Sequence, residues 1–174
     1  ALAQHASAVV DKLKHPEAGV RLAAVETLGK LEPATLAQHA ATVLAKLEDT
    51  DADVRCTAVE TIGELEAAAL AEHAEAIIAK LDRSDSWWFA VETLGKMEAA
   101  TLAQHADAIV AKLKASGALV RCAALKALSK LEPAALALYV DTIIDMLEDS
   151  HSFVRCAAVE TLGKLEVAAF AQHA

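Results

Sequence analysis

Aromatic side chains are nearly missing from this 174-residue chain, at 3% of the total, and there are only 3 prolines and 6 glycines. So few strand formers and turn residues exclude a sandwich or barrel built of many short strands. With 3 cysteines the chain cannot carry the framework of a disulfide-stapled fold, so the thiols read as reduced and the compartment as an intracellular one. Positive charge is also short: 16 Lys and Arg stand against 25 Asp and Glu, a formal charge of −9. That is the wrong sign for neutralising phosphates, which argues against nucleic acid and anionic membrane as partners. Uncharged stretches fall well below the ~20 apolar residues of a membrane span. The first residues lack the charged-then-apolar layout of a secretion signal, and the chain reads as soluble. What is abundant is alanine, 42 residues, and leucine, 23 residues. These are strong helix formers. The expectation is an all-α protein, one cooperative unit long enough to bury its own core.

A period dominates the chain. Leu2-Ala-Gln-His-Ala6 returns as Leu36-Ala-Gln-His-Ala40, Leu70-Ala-Glu-His-Ala74, Leu102-Ala-Gln-His-Ala106 and Phe170-Ala-Gln-His-Ala174, with a degenerate copy at Leu136-Ala-Leu-Tyr-Val140. The steps are 34, 34, 32, 34 and 34 residues. Val25-Glu-Thr-Leu-Gly-Lys30 keeps the same beat, recurring from Val59, Val91, Leu125 and Val159. Five units follow, 2–35, 36–69, 70–101, 102–135 and 136–169, with a partial one at 170–174.

Inside the second unit Leu36, Ala40, Val43, Leu44 and Leu47 form one helical stripe, helix A, and Val54, Ala58, Ile62 and Leu65 form another, helix B. Asp51 is placed to cap helix B, and Pro33 and Pro133 suit the first turn of helix A. A two-helix unit this small cannot cover its own stripe, so neighbours must stack.

Thirty-four residues is the length of a tetratricopeptide repeat, but that signature's Trp, Gly and Tyr positions are absent. The phrase Asp51-Ala-Asp-Val-Arg-Cys-Thr-Ala-Val-Glu-Thr-Ile-Gly63 instead resembles HEAT and HEAT-like repeats, and it recurs at Val20-Arg21, Val54-Arg55, Val120-Arg121 and Val154-Arg155. The resemblance implies a right-handed α-solenoid of five two-helix HEAT-like repeats of about 34 residues each. It also implies a ladder in which each Arg pairs with an Asp six residues earlier or in a neighbouring repeat. Asp49 with Arg55 and Asp149 with Arg155 match that spacing, and Arg21 and Arg121 are its other rungs. His15, Arg83 and Ala115 occupy the Asp position elsewhere, which interrupts the ladder.

No residue pattern supports catalysis or a resident cofactor or metal. His5, His39, His73, His105 and His173 share one repeat position. Equivalent residues in stacked layers lie ~8–10 Å apart, too far to converge on one ion. The plainer reading places them at a seam between helices. HEAT-like hydroxylases build a di-iron site from His-Glu dipeptides, and this sequence has none. Cys56, Cys122 and Cys156 also share a position, with no activating His or Asp pattern beside them.

The outer face of helix B carries Glu26, Glu60, Glu92, Lys126 and Glu160, a mostly acidic row that the resemblance puts on the concave side. Read plainly, Glu26 with Lys30 and Glu160 with Lys164 are solvent pairs at i, i+4. Glu60 with Glu64 and Lys126 with Lys130 instead place like charges together. In the third unit, two residues short, Ser86-Trp-Trp-Phe89 replaces the usual Asp-Val-Arg-Cys-Thr, which puts Trp87, Trp88 and Phe89 side by side, with Trp88 at the position of Cys56. Adjacent helical residues point ~100° apart, so three neighbouring rings cannot all face one core. These observations lead to a non-enzymatic protein-interaction scaffold whose partner is a basic or amphipathic segment held by an aromatic anchor. The alternative is an accessory subunit of a large assembly such as a pigment–protein complex, or a bilin-lyase-like HEAT protein, since HEAT-like repeats also occur in the family that attaches bilins.

Overall fold

A computed structural model describes residues 2–81 and 93–171, and it describes side chains from residue 4 to residue 165 within those bounds. The described residues contain helices and turns but no strand, in keeping with the alanine- and leucine-rich composition.

The chain divides into two units, Ala1–Lys80 and Leu81–Ala174. In the first, α1 (Ala6–Lys12) and α2 (Ala18–Gly29) form one hairpin. Next come α3 (Pro33–Ala37), α4 (Ala40–Leu44) and α5 (Ala52–Gly63), followed by α6 (Ala67–Glu72) and α7 (Ala74–Ala79). The second unit holds α8 (Ala99–Gln104), α9 (Ala106–Ala111), α10 (Ala118–Leu128), α11 (Pro133–Leu136), α12 (Val140–Asp145) and α13 (Ser152–Ala171).

Local chemistry sets these ends. Pro33 and Pro133 open their helices, and the preceding Glu32 and Glu132 are extended, at ψ 142° and 145°. At Ala67 and Ala99 a helix starts in the same place without proline, again behind an extended Glu. The Asp51 carboxylate accepts hydrogen bonds from the Asp53 and Val54 amides at 3.0 and 3.2 Å and so caps α5.

The helix A of the sequence reading is not one helix. It breaks at the repeated histidine: His5, His39, His73 and His105 have φ between −113° and −109° and ψ between 3° and 16°. Tyr139, which replaces the histidine, adopts φ −114° and ψ 9°. Around His39 the backbone bonds run from i to i+3, from the His39 amide to the Leu36 carbonyl at 2.9 Å and from the Thr42 amide to the His39 carbonyl at 3.0 Å. The next residue, Ala6, Ala40, Ala74 or Ala106, is at most 5% exposed. The break therefore sits beside a buried alanine in four repeats, and beside Val140 in the fifth. The predicted stripe survives, because Leu36, Ala40, Val43, Leu44 and Leu47 are all buried.

Within each unit the second helices stack, α2 on α5 and α10 on α13. Val54, Ala58 and Ile62 are fully covered, and burial of Val54 or Ile62 contributes about 1.5–3 kcal/mol each. The predicted boundary at 169/170 is crossed by α13, which runs unbroken for 20 residues. Val167 replaces the proline that starts α3 and α11.

The α2–α5 contact depends on a missing side chain, since a Cβ at Gly29 would lie 3.1 Å from Thr61 Oγ1, whereas one at Gly163 would meet nothing within 4 Å. Gly29→Val is expected to lower unfolding free energy by about 1–3 kcal/mol. Gly163→Ala is expected to raise it by about 0.5–1 kcal/mol, both read from chemical denaturation midpoints.

Candidate partner-binding surface

The rigidity of any surface on this protein starts with arginine. Arg21 donates from Nε to Asp49 Oδ2 at 2.9 Å and from Nη2 to Asp49 Oδ1 at 2.6 Å, and from Nη1 to the His15 and Pro16 carbonyls at 2.9 Å each. One planar guanidinium thus closes its own hairpin's turn and grips the next hairpin's carboxylate with a two-pronged fork. Arg121 repeats the arrangement, reaching Asp149 at 2.7 and 2.9 Å and the Ala115 and Ser116 carbonyls at 2.8 and 3.0 Å. The six-residue partner of Arg55 and Arg155 is a backbone oxygen rather than the carboxylate: Arg55 Nη1 donates to the Asp49 carbonyl at 2.8 Å and Arg155 Nη1 to the Asp149 carbonyl at 2.7 Å. The two aspartate side chains are 4% and 7% exposed. Burial pushes Asp49 up, but hydrogen bonds from Arg21, the Asp51 amide and Lys46 outweigh it and hold the pKa at about 2. At Asp149 the hydrogen bond from Arg121 dominates, with the His151 amide assisting, and its pKa also falls to about 2.

Along the outer edge of the second helices Glu26, Glu60, Lys126 and Glu160 are all exposed. In the first unit Glu26, Lys30, Thr57, Glu60 and Glu64 line an open cleft of about 280 Å³ beside Gly29. The like-charged Lys126 and Lys130 do not both face solvent alone, because the Lys130 ammonium donates to the Gly95 carbonyl and, at 3.4 Å, to the Met97 carbonyl. There it meets carbonyls at the end of a preceding helix, where positive charge is favoured. Glu92 and the aromatic triplet Trp87, Trp88 and Phe89 lie outside the described residues.

Other candidate chemistry is not assembled here. His5, His39, His73 and His105 mark helix breaks, His15 and His151 lie in turns, and no three His, Cys, Asp or Glu residues converge to hold a metal among the described residues. Cys56 and Cys156 are exposed, while burial pushes the Cys122 thiol upward, away from its reactive thiolate form. Among the described residues no helix is long and apolar enough to cross a membrane. The sequence reading missed the ties across a full repeat, Lys80 Nζ to Glu48 Oε1 at 2.6 Å and Tyr139 Oη to Asp107 Oδ1 at 2.8 Å. The signal available for both was opposite polarity at separations close to the repeat length.

Residues 12–65 match the family model for the HEAT-like repeat, and residues 140–165 match that for the HEAT repeat. No curated protein matches the chain. Among solved structures it is similar to the crystal structure of an engineered protein, a Northeast Structural Genomics Consortium target, with 16% identity and a TM-score of 0.59, over 92% of this chain and 78% of that one. At that identity the likeness concerns the fold.

Because Asp49 and Asp149 are more acidic folded than their ordinary 3.8, their stabilisation is complete above that value and is lost as pH falls toward about 2. Acid titration of unfolding should show stability declining across that window, with a shallower decline in Asp49→Asn. At neutral pH Asp49→Ala should cost about 2–4 kcal/mol, measured by urea denaturation.

Proposed function

The chain belongs to the HEAT-like repeat proteins, and from that premise we propose that it is a non-enzymatic scaffold that binds a basic or amphipathic protein segment along its second helices. In this reading the hairpins form a right-handed solenoid of five repeats with those helices on the inner side. The observation that carries the reading is the exposure of Glu26 and Glu60 around one cleft, with Glu64 at its edge. Carboxylates fixed on rigid helices attract and orient a cationic partner, and their contribution lies more in association rate and specificity than in raw affinity. Lys126 reverses the sign at one position, so the partner segment places its positive charge mainly against Glu26 and Glu60. Trp87, Trp88 or Phe89 serves as the apolar anchor, large aromatic rings being enriched among residues that dominate binding energy.

A fluorescently labelled, lysine-rich amphipathic peptide should bind the chain and be released by added salt. Glu26→Lys combined with Glu60→Lys should weaken binding about tenfold, chiefly through a slower association rate. Binding that is indifferent both to salt and to this double variant would overturn the acidic-row reading, and equal affinity in Trp87→Ala and Trp88→Ala would remove the anchor.

A further inference from the structure

The first hairpin of one unit and the last hairpin of the other each leave open apolar residues whose counterparts in stacked hairpins are buried. On the first hairpin Val9 and Val20 are half-buried and line, with Ala8, Ala23 and Thr27, an apolar groove of about 360 Å³. Their counterparts one repeat later, Val43, Val54 and Thr61, are 1%, 0% and 4% exposed. On the last hairpin Val159 is 61% and Ile144 47% exposed. The counterparts of Val159 that have a described hairpin stacked after them, Val25 and Leu125, are both 0% exposed. We infer that the C-terminal face of one copy docks into the N-terminal groove of a second copy, continuing the internal stacking from chain to chain.

The internal interface supplies a template for each contact. Gly29 admits Thr61 so closely that an added Cβ would lie 3.1 Å from its hydroxyl, and Gly163 faces open space where Thr27 of a second copy would enter. Thr161 Oγ1 donates to the Leu125 carbonyl of the preceding hairpin at 3.2 Å, and the same step places Thr27 against the Val159 carbonyl. Lys80 reaches Glu48 of the preceding hairpin, and the equivalent pair between copies is Lys12 with the exposed Glu148. These contacts join apolar fit to charge complementarity, and the interface continues one already present twice within the chain.

One contact is mismatched. The fork that joins Arg21 to Asp49 and Arg121 to Asp149 would bring Arg155 to His15. His15 Nδ1 accepts the Glu17 amide at 3.1 Å, as Asp49 Oδ1 accepts the Asp51 amide at 3.1 Å. The imidazole thus keeps the turn but offers no carboxylate to an incoming arginine. The chain-to-chain contact is therefore a weakened version of the internal one. It is also heterologous, with different surfaces meeting, so it adds copies in a row instead of closing a two-fold dimer.

Sedimentation velocity across the micromolar range tests this. The average mass should climb with concentration past two chains, and a mass fixed at one chain, or a plateau at two, would overturn the inference. Gly163→Glu, at a site with no contact inside the chain, should abolish association while leaving the melting temperature unlowered, and undiminished association in this variant would refute the assigned face. His15→Asp should tighten association roughly tenfold by completing the fork, and no change would refute the assigned register. Lys12→Glu and Glu148→Lys should each weaken association and together restore it.

Discussion

A helical hairpin of this size cannot cover its own apolar stripe, and that deficit governs the molecule. Val25 is buried where α5 lies on α2, and Leu125 where α13 lies on α10. Val159, the same residue of the period with no described hairpin beyond it, stays open. Stability is therefore a property of neighbouring pairs, accumulating roughly as a sum of hairpins and the seams between them. The arginine fork belongs to the same logic. It adds directional polar contacts to an apolar seam, and its guanidinium meets the carboxylate and two turn carbonyls at once, so little of the charge is left without a partner.

Much of this was legible in advance. The 34-residue beat announced stacked hairpins, and the stripe from Leu36 to Leu47 identified the buried side chains because helical spacing depends only on which residues share a face. The histidine break was not legible. Leu-Ala-Gln-His-Ala contains no proline or glycine, and nothing in its local propensity marks a helix end. The fork was half legible. A six-residue spacing between Asp49 and Arg55 is real, but a backbone carbonyl answers it, and the carboxylate turns to Arg21 one repeat earlier. Sequence distance cannot separate those two partners, since both are within reach of an arginine.

The described surface fits recognition better than reaction. Its perturbed acids are neutralised by fixed arginines in stable pairs, and its most perturbed thiol is shifted away from the nucleophilic state. Glu26 and Glu60 hold exposed carboxylates on α2 and α5, helices that stack on each other.

Both forks span the same 28 residues, from Arg21 to Asp49 and from Arg121 to Asp149. That equality ties the evolution of the chain's length to its electrostatics. A whole-period change preserves the fork only where a hairpin carrying the arginine comes to precede one carrying the aspartate, since His15, Arg83 and Ala115 at that position offer no carboxylate. A change of one residue inside a helix would instead swing everything downstream by about 100° and take the prongs out of line. Indels other than whole periods are confined to the connecting turns, and the one short period, the 32-residue step from Leu70 to Leu102, has its deletion between the stripes of its two helices.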